Sequence, residues 1–127
     1  MRNYRGLTKD GKWVYGWYVN NPHGNTHIII EPIDYAVEDR HDVIPETVGQ
    51  QIGLPDKNGV EIYEGDKVLA YYEDLLGVRR KVRGLVVKGE FGYELEFASI
   101  SVSMYHFYTD EPEDFEVIGN IHQEVKI

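Results

Sequence analysis

The sequence predicts an all-β protein of short antiparallel strands, and three observations predict it. Thirteen glycines and ten tyrosines stand in 127 residues; Tyr packs well on pleated sheets, and Gly marks the turns and bulges between strands. Trp13, Tyr15 and Trp17 alternate with Val14, Gly16 and Tyr18, and Ser99, Ser101 and Ser103 alternate with Ile100, Val102 and Met104, the two-residue period of a strand. Turn signals recur at about the 8- to 12-residue spacing of a small barrel or sandwich.

Taken in order, the first unit is a hairpin over Tyr4–Val19, closed at Asp10-Gly11. That dipeptide supplies the two positive-φ positions of a type I′ turn. Asn20 to Asn25 reads as a loop, and His27-Ile28-Ile29-Ile30 as a strand ending at Pro32. Between Asp34 and Pro45 the charge is dense and the periodicity poor, so an irregular surface excursion is expected.

A second unit opens near Glu46, with a hairpin signal at Asn58-Gly59. The segments Lys9-Asp10-Gly11-Lys12-Trp13-Val14-Tyr15 and Lys57-Asn58-Gly59-Val60-Glu61-Ile62-Tyr63 share a pattern, either one hairpin used twice or chance likeness of two turns. Glu64-Gly65-Asp66 turns the chain into Lys67–Tyr72. Val68, Leu69, Tyr72, Leu75 and Leu76 also fit a helix face; strand is chosen, with a turn from Asp74 to Gly77. Val78–Lys88 is a long strand, Tyr93–Phe97 its hairpin partner across Gly89–Gly92, Asp110–Asp114 an acidic loop, and Phe115–Ile121 the last strand.

Composition narrows the function. Without cysteine there is no disulfide, thiolate metal site or thiol nucleophile. A net charge of −9 repels nucleic acid over most of the surface. No run of 18 apolar residues offers a membrane span, and Met1-Arg2-Asn3-Tyr4 does not open a secretory signal, so a cytosolic protein is expected.

Three stretches carry a family resemblance. ETVGQQIGLPDKNGVEIYEGDKV, from Glu46 to Val68, contains the run DKNG-x-EIYEGD-x-V; Glu116-Val117-Ile118-Gly119-Asn120-Ile121 supplies a closing EVIGNI; and Gly11-Lys12-Trp13-Val14-Tyr15-Gly16 supplies an opening hairpin. In these the chain resembles the YopX family of phage and prophage proteins. The resemblance implies a phage-encoded, mainly β protein in the bacterial host cytosol. It implies a single family domain, with an N-terminal hairpin lobe over residues 1–58 and a C-terminal lobe over 59–127, a small Src-homology-3-type open barrel. It carries over no catalytic residue.

Two surfaces are candidate binding sites. Trp13, Tyr15 and Trp17 form a stripe that could stack bases or grip a peptide, or else fill a core or subunit contact. Arg79, Lys81 and Arg83 share one strand face, with Arg80 opposite; they could hold phosphates, and the favoured reading is cross-strand pairing with Glu94 and Glu96.

The remaining polar groups read as structural. Gly11, Asn58, Gly59, Gly65 and Asp66 are turn residues, with Asp66 accepting backbone N–H bonds rather than sharing a proton or a metal with Glu64. Asp56-Lys57-Asn58-Gly59 opens like a calcium loop, but Glu61 and Lys67 occupy the places of its Gly and its last ligand. Of the five histidines, His23, His27, His41, His106 and His122, His23 and His27 stand four apart, but Pro22, Gly24 and Asn25 argue against the helix that would align them on a metal, so solvated or packed imidazoles are expected. No catalytic residue, metal or cofactor is expected. The reading is a non-enzymatic protein-binding module, contacting a second copy of itself or a host or phage protein. A nucleic-acid binder using the Arg79–Arg83 strand, and an acidic DNA mimic, are the alternatives.

Overall fold

The computed structural model describes residues 3–21, 23, 25–73, 75–89, 92–97, 100–103 and 115–122. Among them there are strands and no helix. In chain order these are β1 (Tyr4–Leu7), β2 (Trp13–Asn21), β3 (Thr26–Asp34), β4 (Val37–Asp42), β5 (Ile44–Pro55), β6 (Glu61–Tyr63), β7 (Asp66–Glu73), β8 (Arg79–Gly89), β9 (Gly92–Phe97), β10 (Ile100–Ser103) and β11 (Phe115–Asn120). They form two antiparallel sheets, ordered β4-β3-β2-β1-β5-β6 and β10-β9-β8-β7-β11. Neither sheet closes into a barrel. The acidic segment Asp110–Asp114 lies outside the described residues. The chain divides into two compact units, Met1–Gln51 and Ile52–Ile127.

In the first unit the opening hairpin is closed differently from the type I′ turn expected. Gly11 has φ +85, but Asp10 is not at positive φ. Gly11 N–H donates to the Thr8 carbonyl at 3.0 Å and Thr8 N–H to the Lys12 carbonyl at 2.9 Å. This is a three-residue loop with Gly in the left-handed position, which suits the strand twist as well as a primed turn does. The Thr8 hydroxyl accepts Lys12 N–H at 3.1 Å and bonds the Asp10 carboxylate. That hydroxyl contact, before all else, holds the Asp10 carboxyl below its usual range.

The expected irregular stretch after Asp34 instead contains β4, paired to β3 from Ile28↔Asp42 to Asp34↔Val37. It is an edge strand, and all its residues but His41 are exposed. With water on both sides, no alternation of apolar and polar residues is required, so the period that betrays a half-buried strand is missing. β3 likewise runs past Pro32 to Asp34. The β2–β3 register ends at Trp17↔Ile30, while Pro32 is in register with Glu38 on β4, a place beyond the β2 ladder that tolerates its missing N–H. Val14, Ile29 and Val43 form the core of this unit, with Tyr4, Tyr18 and Val48 packed against them.

The second unit has the larger core: Ile52, Ile62, Val68, Ala70, Val86, Tyr93, Leu95 and Phe115. Each large side chain fully buried there contributes about 1.5–3 kcal/mol. Alternation explains the choice of residues, since Val68 and Ala70 on β7, Val86 on β8 and Leu95 on β9 all lie on the face turned inward. The segment from Lys67 to Tyr72 lies in β7, the strand reading of that ambiguous run.

The turn after β5 repeats the first hairpin's chemistry. Gly59 N–H donates to the Asp56 carbonyl at 3.0 Å and Asp56 N–H to the Val60 carbonyl at 2.8 Å, with Gly59 at φ +79. Asp56 stands where Thr8 stood: its Oδ1 accepts the N–H groups of Asn58 and Val60, while Oδ2 accepts Val117 N–H on β11 at 2.9 Å. The two hairpins therefore share a turn geometry as well as a sequence pattern. Gly65, at φ +93, and the buried Asp66 turn the chain from β6 to β7, where Asp66 Oδ2 accepts Tyr63 N–H at 2.8 Å.

Candidate functional site

The aromatic stripe is built by β2. Leu7↔Trp13 and Arg5↔Tyr15 are in register on one side, and Trp17↔Ile30 and Val19↔Ile28 on the other. One sheet face thus carries Arg5, Leu7, Trp13, Tyr15, Trp17, Val19, Ile28 and Ile30, with Asp42, Arg40 and Glu38 continuing it on β4. Val14 and Tyr18 point to the other face, into the core. The core alternative for this stripe is not what the fold uses: Trp17 is 53% exposed and Tyr15 44%. Gly16 lets β2 pass close to β3, where a β-carbon would meet the Ile30 carbonyl oxygen.

Arg5 belongs to this face, and the sequence reading passed over it. It is buried, and its guanidinium lies 4.8 Å over the Trp13 ring, a cation–π contact that orients the indole. On the opposite face the Tyr18 hydroxyl is 2.6 Å from His27 Nδ1. Partial burial, with Tyr4 nearby, holds the Tyr18 phenol above its ordinary range.

The basic strand does not pair as expected. The β8–β9 hairpin sets Leu85 opposite Glu96 and Val87 opposite Glu94, and its register ends at Leu85. Arg79, Lys81 and Arg83 lie opposite Glu73, Tyr71 and Leu69 on β7 instead. Arg79 stacks over the Tyr71 ring at 4.8 Å. Lys57 reaches the same ring from 6.0 Å while bonding Glu116 at 2.8 Å; that bond, together with the carboxylate's charge, raises the Lys57 ammonium above its ordinary range. Arg79, Arg80, Lys81 and Arg83 are exposed.

One cluster was hidden from sequence reasoning by the missed edge strand. Glu31, Asp39 and His41 place three ligand-type atoms within 4.8 Å of one another. Glu31 and Asp39 are directly opposite on β3 and β4, a pairing of like charges that costs stability, and His41 Nε2 lies 3.4 Å from Glu31 Oε1. These are the described residues that could hold a cation. They sit on an open sheet edge without a buried polar group aimed into them, which is the character of an ion-pair cluster.

No helix is long and apolar enough to cross a membrane. A family model described as YopX protein matches residues 3–127. No curated protein matches. Among solved structures, the chain is similar to the crystal structure of protein EF1440 from Enterococcus faecalis, with a TM-score of 0.56 and 21% identity over 99% of this chain and 96% of that one. That likeness is one of fold.

Proposed function

The chain belongs to the YopX family, and from that premise we propose that it is a non-enzymatic, protein-binding accessory protein of a phage or prophage, working in the bacterial cytosol. The observation that carries the reading is the aromatic face. Trp17 and Tyr15 are substantially exposed side by side with Val19, Ile28 and Ile30, and Arg5 braces Trp13 from beneath. Trp, Tyr and Arg are the residue types that most often dominate binding energy at protein contacts, and a contiguous apolar patch is otherwise a liability.

Two substitutions test it. Immobilised wild type should retain a protein, from host lysate or as an untagged copy of itself, that a Tyr15→Thr, Trp17→Thr variant does not. Equal capture by both baits, or none by either, would refute the reading. Thr keeps the strand propensity, so the variant still folds.

A second reading has one observation in its favour. Lys81 and Arg83 lie opposite Tyr71 and Leu69 rather than Glu94 and Glu96, so the strand keeps exposed cationic groups without a carboxylate directly across from them. The net charge of −9 weighs against a phosphate partner.

A further inference from the structure

The β3–β4 hairpin runs on past the β2 ladder. That register ends at Trp17↔Ile30, and beyond the rung β3 and β4 pair with each other through Glu31↔Asp39, Pro32↔Glu38 and Asp34↔Val37. Tyr35 and Ala36 close the hairpin as a two-residue loop. Loops of that length favour Asn-Gly or Asp-Gly, because their turns use positive φ. Tyr35 and Ala36 are neither, and neither residue is at positive φ, so turn formation does not account for the tyrosine. Packing does not account for it either, since Tyr35 is 102% exposed, with Ile33 at 56% and Val37 at 54% on its two sides. Three apolar side chains grouped at one tip in water mark a contact surface.

Charge names the occupant. Residues 31–42 hold Glu31, Asp34, Glu38, Asp39 and Asp42 against Arg40, a net −4 with His41 neutral, so this short ribbon carries nearly half of the chain's −9. Arg40 turns to Glu38, 3.5 Å away, on the ribbon face opposite Glu31 and Asp39. Those two carboxylates face each other directly, and like charges there cost stability until a cation stands between them. With His41 they set three ligand-type atoms within 4.8 Å of one another, a span suited to the forked N–H groups of one guanidinium. A guanidinium also stacks on aromatic faces, and Tyr35 offers its ring at the tip.

We infer that the β3–β4 hairpin docks a basic protein surface, with arginine side chains seated on the Glu31–Asp39 pair and on the Tyr35 ring. The inference rests on the protein-binding reading above and names the chemistry of the partner, a positively charged, arginine-bearing protein. Opposite charge steers such an encounter, and salt weakens it.

Fluorescence polarisation with a labelled peptide that alternates arginine with leucine tests it. Wild type should bind the peptide, more weakly as salt rises, and should not bind the same peptide with glutamine in place of arginine. Glu31→Gln with Asp39→Asn, and separately Tyr35→Ser, should each weaken binding about tenfold or more. Glu94→Gln with Glu96→Gln removes the same charge from the other unit and should leave binding within about twofold. The altered side chains in the hairpin are exposed or half-buried, and the paired variant relieves a like-charge opposition, so melting temperatures should stay at or above wild type. Tyr35→Ser decides alone if the paired variant does not fold. Equal loss in the Glu94, Glu96 variant overturns the inference, because net charge would then suffice. Binding unchanged in the hairpin variants overturns it too, as does a wild type that ignores the peptide at about 100 μM. Calcium that displaces the peptide at about 10 μM would overturn it in favour of a metal site. The aromatic-face reading is tested separately: it stands or falls on capture by the Tyr15→Thr, Trp17→Thr variant, whatever the hairpin variants do.

Discussion

Asp56 is a fully buried carboxylate whose two oxygens accept three backbone N–H groups, two within its own turn and one from β11, 61 residues on. A buried acceptor with that many donors is worth far more than a surface turn residue, because its loss leaves the donors desolvated and unpaired. Asp56→Ala should therefore cost about 3 kcal/mol or more in urea unfolding. Asp56→Asn should recover part of that at most, since its amide keeps one acceptor and turns a donor toward the other site; a loss below about 1 kcal/mol in both would show that the carboxylate is dispensable. Gly59 has open space around the missing β-carbon but φ +79, so the cost of Gly59→Ala is backbone strain alone, about 1 kcal/mol, and Gly59→Asn costs less. Gly16→Ala should be worse than either, because it pushes on the β3 backbone. Tyr18 gives a pH dependence. Its folded phenol lies above the ordinary value of 10.0, so the native state holds the proton longer than the unfolded chain does. The sign follows: this stability is complete below pH 10 and is lost as pH rises from there through the folded value. Thermal melts in that alkaline window should fall more steeply for wild type than for Tyr18→Phe, and parallel slopes would contradict the assignment.

At the scale of elements, turn chemistry decides which side chains meet. A two-residue I′ turn at Asp10-Gly11 would place Arg5 opposite Gly16, whereas the three-residue loop places it opposite Tyr15 and so on the aromatic face. The Asp-Gly signal announced the hairpin correctly, but the same dipeptide serves both loops, and the Thr8 hydroxyl that favours the longer one is a weak cue. The aromatic stripe was legible because period-2 alternation dictates a shared face whatever the register; Arg5 was not, because its place depends on the register. The same reason undid the pairing of Arg83 with Glu94 and Glu96. Both strands were recognised, but Gly89↔Gly92 fixes the hairpin so that β9 lies beside the other half of β8. With no carboxylate directly opposite Arg83, Arg83→Glu should change unfolding free energy by less than about 0.5 kcal/mol. A loss above about 1 kcal/mol would mean that a cross-strand partner is being opposed after all. β4 was illegible for a different reason, since an edge strand wet on both faces leaves no hydrophobic period to read.

For the molecule as a whole, composition already carried the class: Gly and Tyr in such numbers, with no cysteine, leave a β core held by packing alone. Circular dichroism should accordingly show strand with little helix, and a helix content above about a quarter would contradict the fold. What composition could not reveal is that charge is unevenly distributed, with a basic half of β8 in a chain of net charge −9 and an exposed aromatic face on the other unit. Both of the chain's tryptophans, Trp13 and Trp17, lie on that face, so tryptophan fluorescence reports on nothing else. Acrylamide quenching across a dilution series therefore tests most directly whether a second copy covers it. The account predicts that quenching rises and emission shifts to the red as the protein is diluted through its association range, and that a Tyr15→Thr variant, which keeps both tryptophans, shows the diluted values at every concentration. Quenching that is the same at all concentrations, and the same in wild type and variant, would contradict it.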